Sequence, residues 1–315
     1  MHTEPTTRIA ASRLGNGAEN VTGKKRIVTG INENITGIIS GRNADFAQNP
    51  YICSNPRAHR ARATQNQTTM TKIQDRRSIR KYSSRPVDDA LLNRLLRIAE
   101  RTQTMGNMQL YSVVVTRSDE GKRRLAPLHF DQPMVTEAPV VLTFCADTHR
   151  ATQWCQQRDA TPGYGNLLSF LNAATDALLY LQTFSTLAEA EGLGLCFLGT
   201  TVYNTPELCR TLRLPRLVIP VGTLTLGWPA ECPPATDRLP LEAIVHDETY
   251  QDPQPADIDR FYALKESLPE SLQAIRENGK QTLAQVFTDV RYTREAMEQF
   301  SDTYLAALRQ QGFIE

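Results

Sequence analysis

No Cys-x-x-C pair occurs among the six cysteines of this 315-residue sequence, so neither a zinc knuckle nor a thioredoxin-like dithiol is written into it. Cys53, Cys145, Cys155, Cys196, Cys209 and Cys232 are scattered and read as small buried hydrophobes. The five histidines show no metal-ligand spacing, and no metal is expected. No apolar run approaches the ~20 residues that a membrane helix needs. The N-terminus lacks the apolar h-region of a secretory signal, so the expected setting is a reducing cytoplasm with no membrane partner. Neither sign of charge is in excess: 35 Lys and Arg face 34 Asp and Glu, a formal net charge of +1. That balance argues against a nucleic-acid partner or an anionic membrane surface. A dinucleotide-binding fingerprint is missing too. Gly192-Leu193-Gly194 follows a helical pattern and lacks both the third glycine and the downstream acid.

With 40% hydrophobic and 22% charged residues the composition is that of an ordinary globular protein. Its charge is unevenly spread. Residues 1–69 hold nine Lys/Arg against four acids, net +5, leaving −4 for the remainder. That stretch is rich in Thr, Asn, Arg, Ala and Gly without sustained apolar periodicity, and is expected to be a mostly disordered extension. Met70 stands immediately before the first clear pattern, which raises an alternative start site. The folded domain is expected over 70–315.

Asp88 reads as the N-cap of a helix whose stripe is Leu91, Leu92, Leu95, Leu96, Ile98 and Ala99. A glycine-containing turn at 104–107 and a β-branched strand at 111–116 follow. Residues 139–145 look like a fully buried strand. The longest helical signal, 167–190, is apolar nearly all round and must be covered on most sides, by a large core or by a subunit interface. Residues 195–199 form a short apolar strand or loop, Thr205-Pro206-Glu207 opens a helix with Thr205 as N-cap, and 217–226 is a further strand. Four prolines make 229–240 an extended rigid loop. Amphipathic helices are expected around 257–268 and 294–310. Without strict βαβ alternation or an internal repeat, one α+β domain is the simplest architecture.

The densest chemical signal is Arg76-Arg77-Ser78-Ile79-Arg80-Lys81, four cationic side chains and a hydroxyl in six residues. It reads as an anion cradle. If extended, it places Arg76, Ser78 and Arg80 on one side. By itself a solvated basic stretch explains it as well. Trp228 and His246 read as packing or loop-fixing groups.

This run resembles the opening signature of the nitroreductase family, R-[RS]-S-x-R. The resemblance recurs in order. Thr102 to Gln109 is similar to the family's polar turn ending in Asn-x-Gln, Glu189 to Gly199 to its E-x-x-G-L-G-x-x-x-[IL]-G segment, and Gly222 to Pro229 with Arg238-Leu239-Pro240 to its G-x-x-x-x-G-x-P…R-x-P ending. The wording Leu-Gly-Trp-Pro-Ala is similar to the larger, flavin-reductase-like branch. The resemblance implies a mixed, mostly antiparallel central sheet flanked by helices, with C-terminal helices wrapping a partner in a homodimer. It implies FMN as cofactor and NAD(P)H as electron donor.

Carried over residue by residue, it implies that Arg76, Ser78 and Arg238 hold the FMN phosphate with Arg77 assisting. Arg80 is implied to lie against the N1/C2 edge of the flavin, where a cation stabilises the charge that appears on reduction. Thr104 and Gln132 match polar positions at the ribityl chain or ring, with Asn107 as an addition. Phe197, Leu198, Gly199 and Thr200 match backbone lining the ring. Thr236 stands where the branch usually offers lysine, which leaves Arg238 as the main cation there. No side-chain catalyst is implied, since hydride moves between nicotinamide C4 and flavin N5. Small electron-poor acceptors such as nitroaromatics, quinones or free flavin follow by ping-pong turnover. The alternatives are a specialised FMN enzyme of the same fold, dehalogenating or flavin-fragmenting, and a non-catalytic flavin-binding protein. The part expected to read the NADPH 2′-phosphate, Leu264 to Lys280, has only Lys265, Arg276 and Lys280, so NADH or mixed use is expected.

Overall fold

The computed structural model describes residues 73–315, and the reading of 1–69 as an extension lies outside the described residues. Four strands form one sheet in the order β1-β2-β4-β3: β1 Tyr111–Thr116, β2 Val140–Asp147, β3 Gly194–Leu198 and β4 Val218–Gly227. All three pairings are antiparallel. Every residue of β2 and β4 is buried, because these are the two inner strands and both sheet faces are covered. Their near-continuous apolar runs are the sequence image of that position. Pro220 has no N–H to give the ladder, and the β2/β4 register shifts between Phe144 and Cys145, opposite it.

Helix α1, Asp89–Ala99, is capped as expected, with the Asp88 carboxylate accepting the Ala90 N–H at 2.6 Å. Helix α2 is Asp119–Leu125, α3 Pro133–Glu137 and α4 His149–Gln156. Helix α5, Leu167–Ala190, matches its expected span and lies across the sheet. Phe184 and Tyr180 pack on Phe144 of β2 with ring centroids 6.2 and 6.0 Å apart, among Leu142, Leu224 and Leu226. The opposite sheet face carries Val141, Cys196 and Leu198 against Leu125, Met134 and Leu208. Gly192, at φ 87, ends α5 as a left-handed cap, and Leu193 N–H returns to Ala188 O at 3.0 Å.

Helix α6, Thr205–Thr211, starts one residue earlier than expected. Its N-cap is Asn204, while the Thr205 hydroxyl turns back to Thr201 O at 3.1 Å. Residues 229–240 have no regular structure beyond a bridge from Tyr82 to Pro229. Three helices follow, α7 Pro255–Ser267, α8 Pro269–Glu277 and α9 Leu283–Val286, then a π-turn and α10 Arg294–Gln311. Ala307 and Leu308 of α10 close a second cluster with Phe170 and Phe313. Trp228 and His246 fix structure, as read from sequence. The Trp228 indole N–H donates to Pro86 O at 3.1 Å beneath the Arg85 guanidinium, and His246 Nδ1 accepts the Gln251 N–H at 3.1 Å.

Candidate functional site

The cationic run is an extended segment docked on the sheet edge. Ile79 N–H donates to Leu195 O of β3 at 3.0 Å, and Ser83 N–H donates to Trp228 O at 2.8 Å. Ile79 is buried against Gly194, which leaves its neighbours Ser78 and Arg80 facing outward. The Tyr82 hydroxyl donates to Ile79 O at 2.7 Å and locks the turn.

The four cations then separate in role. Arg76 is taken up by α5: its Nη2 and Nε donate to Glu189 Oε2 at 2.6 and 2.8 Å, with Thr186 Oγ1 at 3.4 Å. Arg77 gives Nη1 to Asp75 O at 3.0 Å, and its buried Nε has no partner. Arg80 and Lys81 offer consecutive backbone N–H groups to Glu231 Oε1 at 2.7 and 3.0 Å. Those donors, Arg80 N–H first, hold the Glu231 carboxyl below the usual carboxylate range. The Arg80 side chain faces the Cys196 thiol, whose pKa burial pushes up and the guanidinium pulls back. A cleft of about 370 Å³ is lined by Asp75, Arg76, Arg77, Glu189, Glu231 and Cys232, among others.

Thr104 and Asn107 sit on a turn between α1 and β1. Thr104 is extended, and Gly106, Asn107 and Gln109 have left-handed φ of 56, 56 and 53°. Gln132 precedes α3, its amide donating to His129 O at 3.0 Å. Phe197 is exposed at the end of β3, Leu198 is buried, and a Cβ on Gly199 would meet nothing within 4 Å. Thr200 Oγ1 lies 2.8 Å from Nδ1 of His129, which is fully buried with Nε2 unpartnered. Burial pushes the His129 imidazole down to about 4, so the ring is neutral at pH 7.

On the loop after β4 the Arg238 guanidinium folds onto its own turn, donating to Thr236 Oγ1 at 2.6 Å and Asp237 O at 2.8 Å. Lys265 of α7 ion-pairs with Asp237, the residue after Thr236, at 2.8 Å. Arg238 does not line the cleft that holds Arg76 and Arg77.

Sequence reasoning missed Glu189, Glu231, His129 and Asp176. Glu189 was visible as the acid of the E-x-x-G-L-G segment, and Asp176 as the sole acid in the apolar part of α5. Nothing in sequence marked Glu231 or His129 as neighbours of the cationic run and the Gly199 turn.

The residues present suit a phosphate-bearing planar cofactor. The orphaned Arg77 N–H and the exposed Ser78, Arg80 and Lys81 offer phosphate donors, and the open space over Gly199 admits a ring edge against backbone.

A model described as "Nitroreductase family" matches residues 73–228. The chain is 35% identical over 215 residues to the FMN reductase [NAD(P)H] of Bacillus subtilis (strain 168), covering 67% of this chain and 84% of that one. The chain belongs to the nitroreductase family. Another member, the oxygen-insensitive NADPH nitroreductase of Salmonella typhimurium, is 34% identical over 56% of this chain and 71% of its own. A crystal structure from Bacteroides fragilis NCTC 9343 superposes with TM-score 0.77 at 57% identity, covering 78% of this chain and all of that one. Among the described residues of this nitroreductase-family chain no cluster could hold a metal ion, and no helix is long and apolar enough to cross a membrane.

Proposed function

We propose that this protein is an FMN-dependent NAD(P)H oxidoreductase that reduces nitroaromatics, quinones or free flavin. The observation that carries the reading is the docking of the cationic run on β3, the strand that leads into the open Leu198-Gly199-Thr200 turn, in a nitroreductase-family chain. Bound FMN would supply the redox chemistry, accepting hydride from the nicotinamide and delivering it to the acceptor. Ser78 and Arg77 hold the phosphate from the docked run, Arg238 is offered to it from the loop after β4, outside the cleft that Arg77 lines, and Arg80 stabilises negative charge at the ring edge. Arg76, engaged by Glu189, fixes the segment to α5 and supports the phosphate site from behind. Thr104, Asn107 and Gln132 orient the ribityl chain and ring, Phe197 to Thr200 form the backbone wall, and Thr236 anchors Arg238. Neutral His129 fixes Thr200 without adding charge.

Of the three cations available to read a 2′-phosphate, Lys265 and Lys280 are ion-paired to Asp237 and Asp289, and Arg276 has no ion pair among the described residues. One free cation supports weak discrimination, with comparable kcat/KM for NADH and NADPH. The outer face of α5 exposes Leu167, Leu168, Leu171, Leu178 and Leu179 at helical spacing, a stripe that a second copy of the chain would cover. The described cysteines are all free, which suits a reducing cytoplasm.

The decisive experiment is anaerobic mixing of the purified, FMN-loaded protein with NADH or NADPH. Bleaching near the flavin absorption maximum, restored by a quinone, is expected. A flavin that stays yellow would end the reading and leave a flavin-binding protein.

A further inference from the structure

Asp176 is an acid in the buried face of a core helix. It is 1% exposed, on the stretch of α5 that also buries Ala173, Ala177 and Tyr180. No ion pair reaches it among the described residues. Instead its two oxygens accept backbone N–H groups, Oδ1 from Met105 at 2.9 Å and Oδ2 from Leu110 at 3.2 Å. A carboxylate has only acceptors, and a buried one is tolerated where donors meet it.

Those two donors bracket one turn, residues 105–110. Inside it Asn107 and Gln109 adopt left-handed φ of 56 and 53° without being glycine. Such conformations persist where the surroundings over-determine them. The Gln109 amide closes on Asn107 O at 3.1 Å, and Arg150 holds Gln109 O at 2.6 Å, so the exit is tied as well. Among the described residues only Asp176 reaches both ends from one rigid helix.

We propose that Asp176 is a positioning residue for the flavin: by clamping Met105 and Leu110 it holds Thr104 and Asn107 where the cofactor needs them. The proposal rests on the FMN reading above. Asparagine at 176 keeps the volume but offers one acceptor and turns an NH₂ group toward the other N–H. Asp176→Asn therefore opens one end of the clamp with little change in packing.

The test is FMN titration of apoprotein by flavin fluorescence, with the visible circular dichroism of the bound flavin as the signature of its setting. Asp176→Asn is expected to bind FMN about tenfold more weakly or worse, as loss of one buried hydrogen bond to a charged group implies, and to alter the visible dichroism. Ser185→Ala is the control on the same buried face, where the hydroxyl serves only Leu181 O at 2.8 Å. It is expected to leave both readouts unchanged. Equal FMN affinity in Asp176→Asn and native protein, or equal losses in both variants, would overturn the proposal. Should Asp176→Asn fail to fold, amide hydrogen exchange in the native protein decides: Met105 and Leu110 N–H are expected to exchange as slowly as the sheet, and exchange at surface rates would overturn the clamp. A native protein that takes up no FMN would instead sink the functional reading, and amide exchange would still report on the clamp.

Discussion

Replacing Gly194 by alanine puts the docking of the cationic run to a direct test. A Cβ there would lie 2.7 Å from both Cβ and Cγ1 of Ile79 and 2.8 Å from Cγ2. The Gly194 backbone is in an ordinary region, so no left-handed strain enters, and alanine in a strand would otherwise gain about 0.5–1 kcal/mol over glycine. Against that stands the overlap. Its nearest contact is the Ile79 Cβ, not a flexible chain end, and Ile79 is tied to Leu195 O and the Tyr82 hydroxyl. Overpacking of this kind costs about 1–3 kcal/mol. Taking the middle of each range, the overlap wins by about 1 kcal/mol, a fall in melting temperature of roughly 2–4 °C for a domain of this size. The segment must also shift, carrying Ser78 and Arg80 with it, so FMN affinity should fall in the same variant. Differential scanning fluorimetry and a flavin titration measure both. Gly163→Ala, where a Cβ meets nothing within 4 Å, is the control and should lose neither. A Gly194→Ala protein that melts at or above the native temperature and binds FMN normally would refute the reasoning.

Burial holds the His129 pKa at about 4 against 6.5 in the unfolded chain, so below neutral pH the unfolded state binds more protons. Stability is then full above the unfolded value and falls as pH drops toward the folded one, by about 3 kcal/mol at most. His129→Gln should flatten urea-unfolding free energies across that window, and a slope equal to native would contradict the assignment. Arg80→Ala and Arg238→Ala should each weaken FMN by about 10- to 150-fold, the equivalent of a charge-assisted bond of ~1.5–3 kcal/mol. Riboflavin, which has no phosphate, should be insensitive to Arg238→Ala; equal losses for both flavins would remove Arg238 from the phosphate site. Leu171→Glu combined with Leu178→Glu, both on exposed positions of α5, should shift the protein to monomer in sedimentation velocity, and an unchanged species would refute the proposed interface.

Helix α5, the capped α1 and three of the four strands were legible before the structure, with β3 left open between strand and loop, because hydrophobic period and turn residues are local properties of the chain. The cationic run was legible as a candidate anion cradle from its guanidinium and hydroxyl donors, whereas a part for the Gly199 turn was implied only by the family resemblance. Boundaries set by cap competition were less so, as Thr205 shows by giving the N-cap to Asn204 and turning its own hydroxyl inward.

What the sequence could not decide is which cation meets which partner. Arg76 and Arg77 are neighbours of the same type, yet only Arg76 reaches Glu189, 113 residues away, while Arg77 keeps an unpaired N–H at the cleft. Likewise the apolar run marks Asp176 as an unusual acid, but nothing local names the N–H groups it accepts until the turn at 105–110 folds over it. Composition and periodicity marked the longest helix and the inner strands, since these depend on residues a few positions apart, but left the short helices α2, α3, α4, α8 and α9 unread. The pairing of charges and the placing of buried acceptors depended on distances across the fold, which only the packing of α5 on the sheet could set.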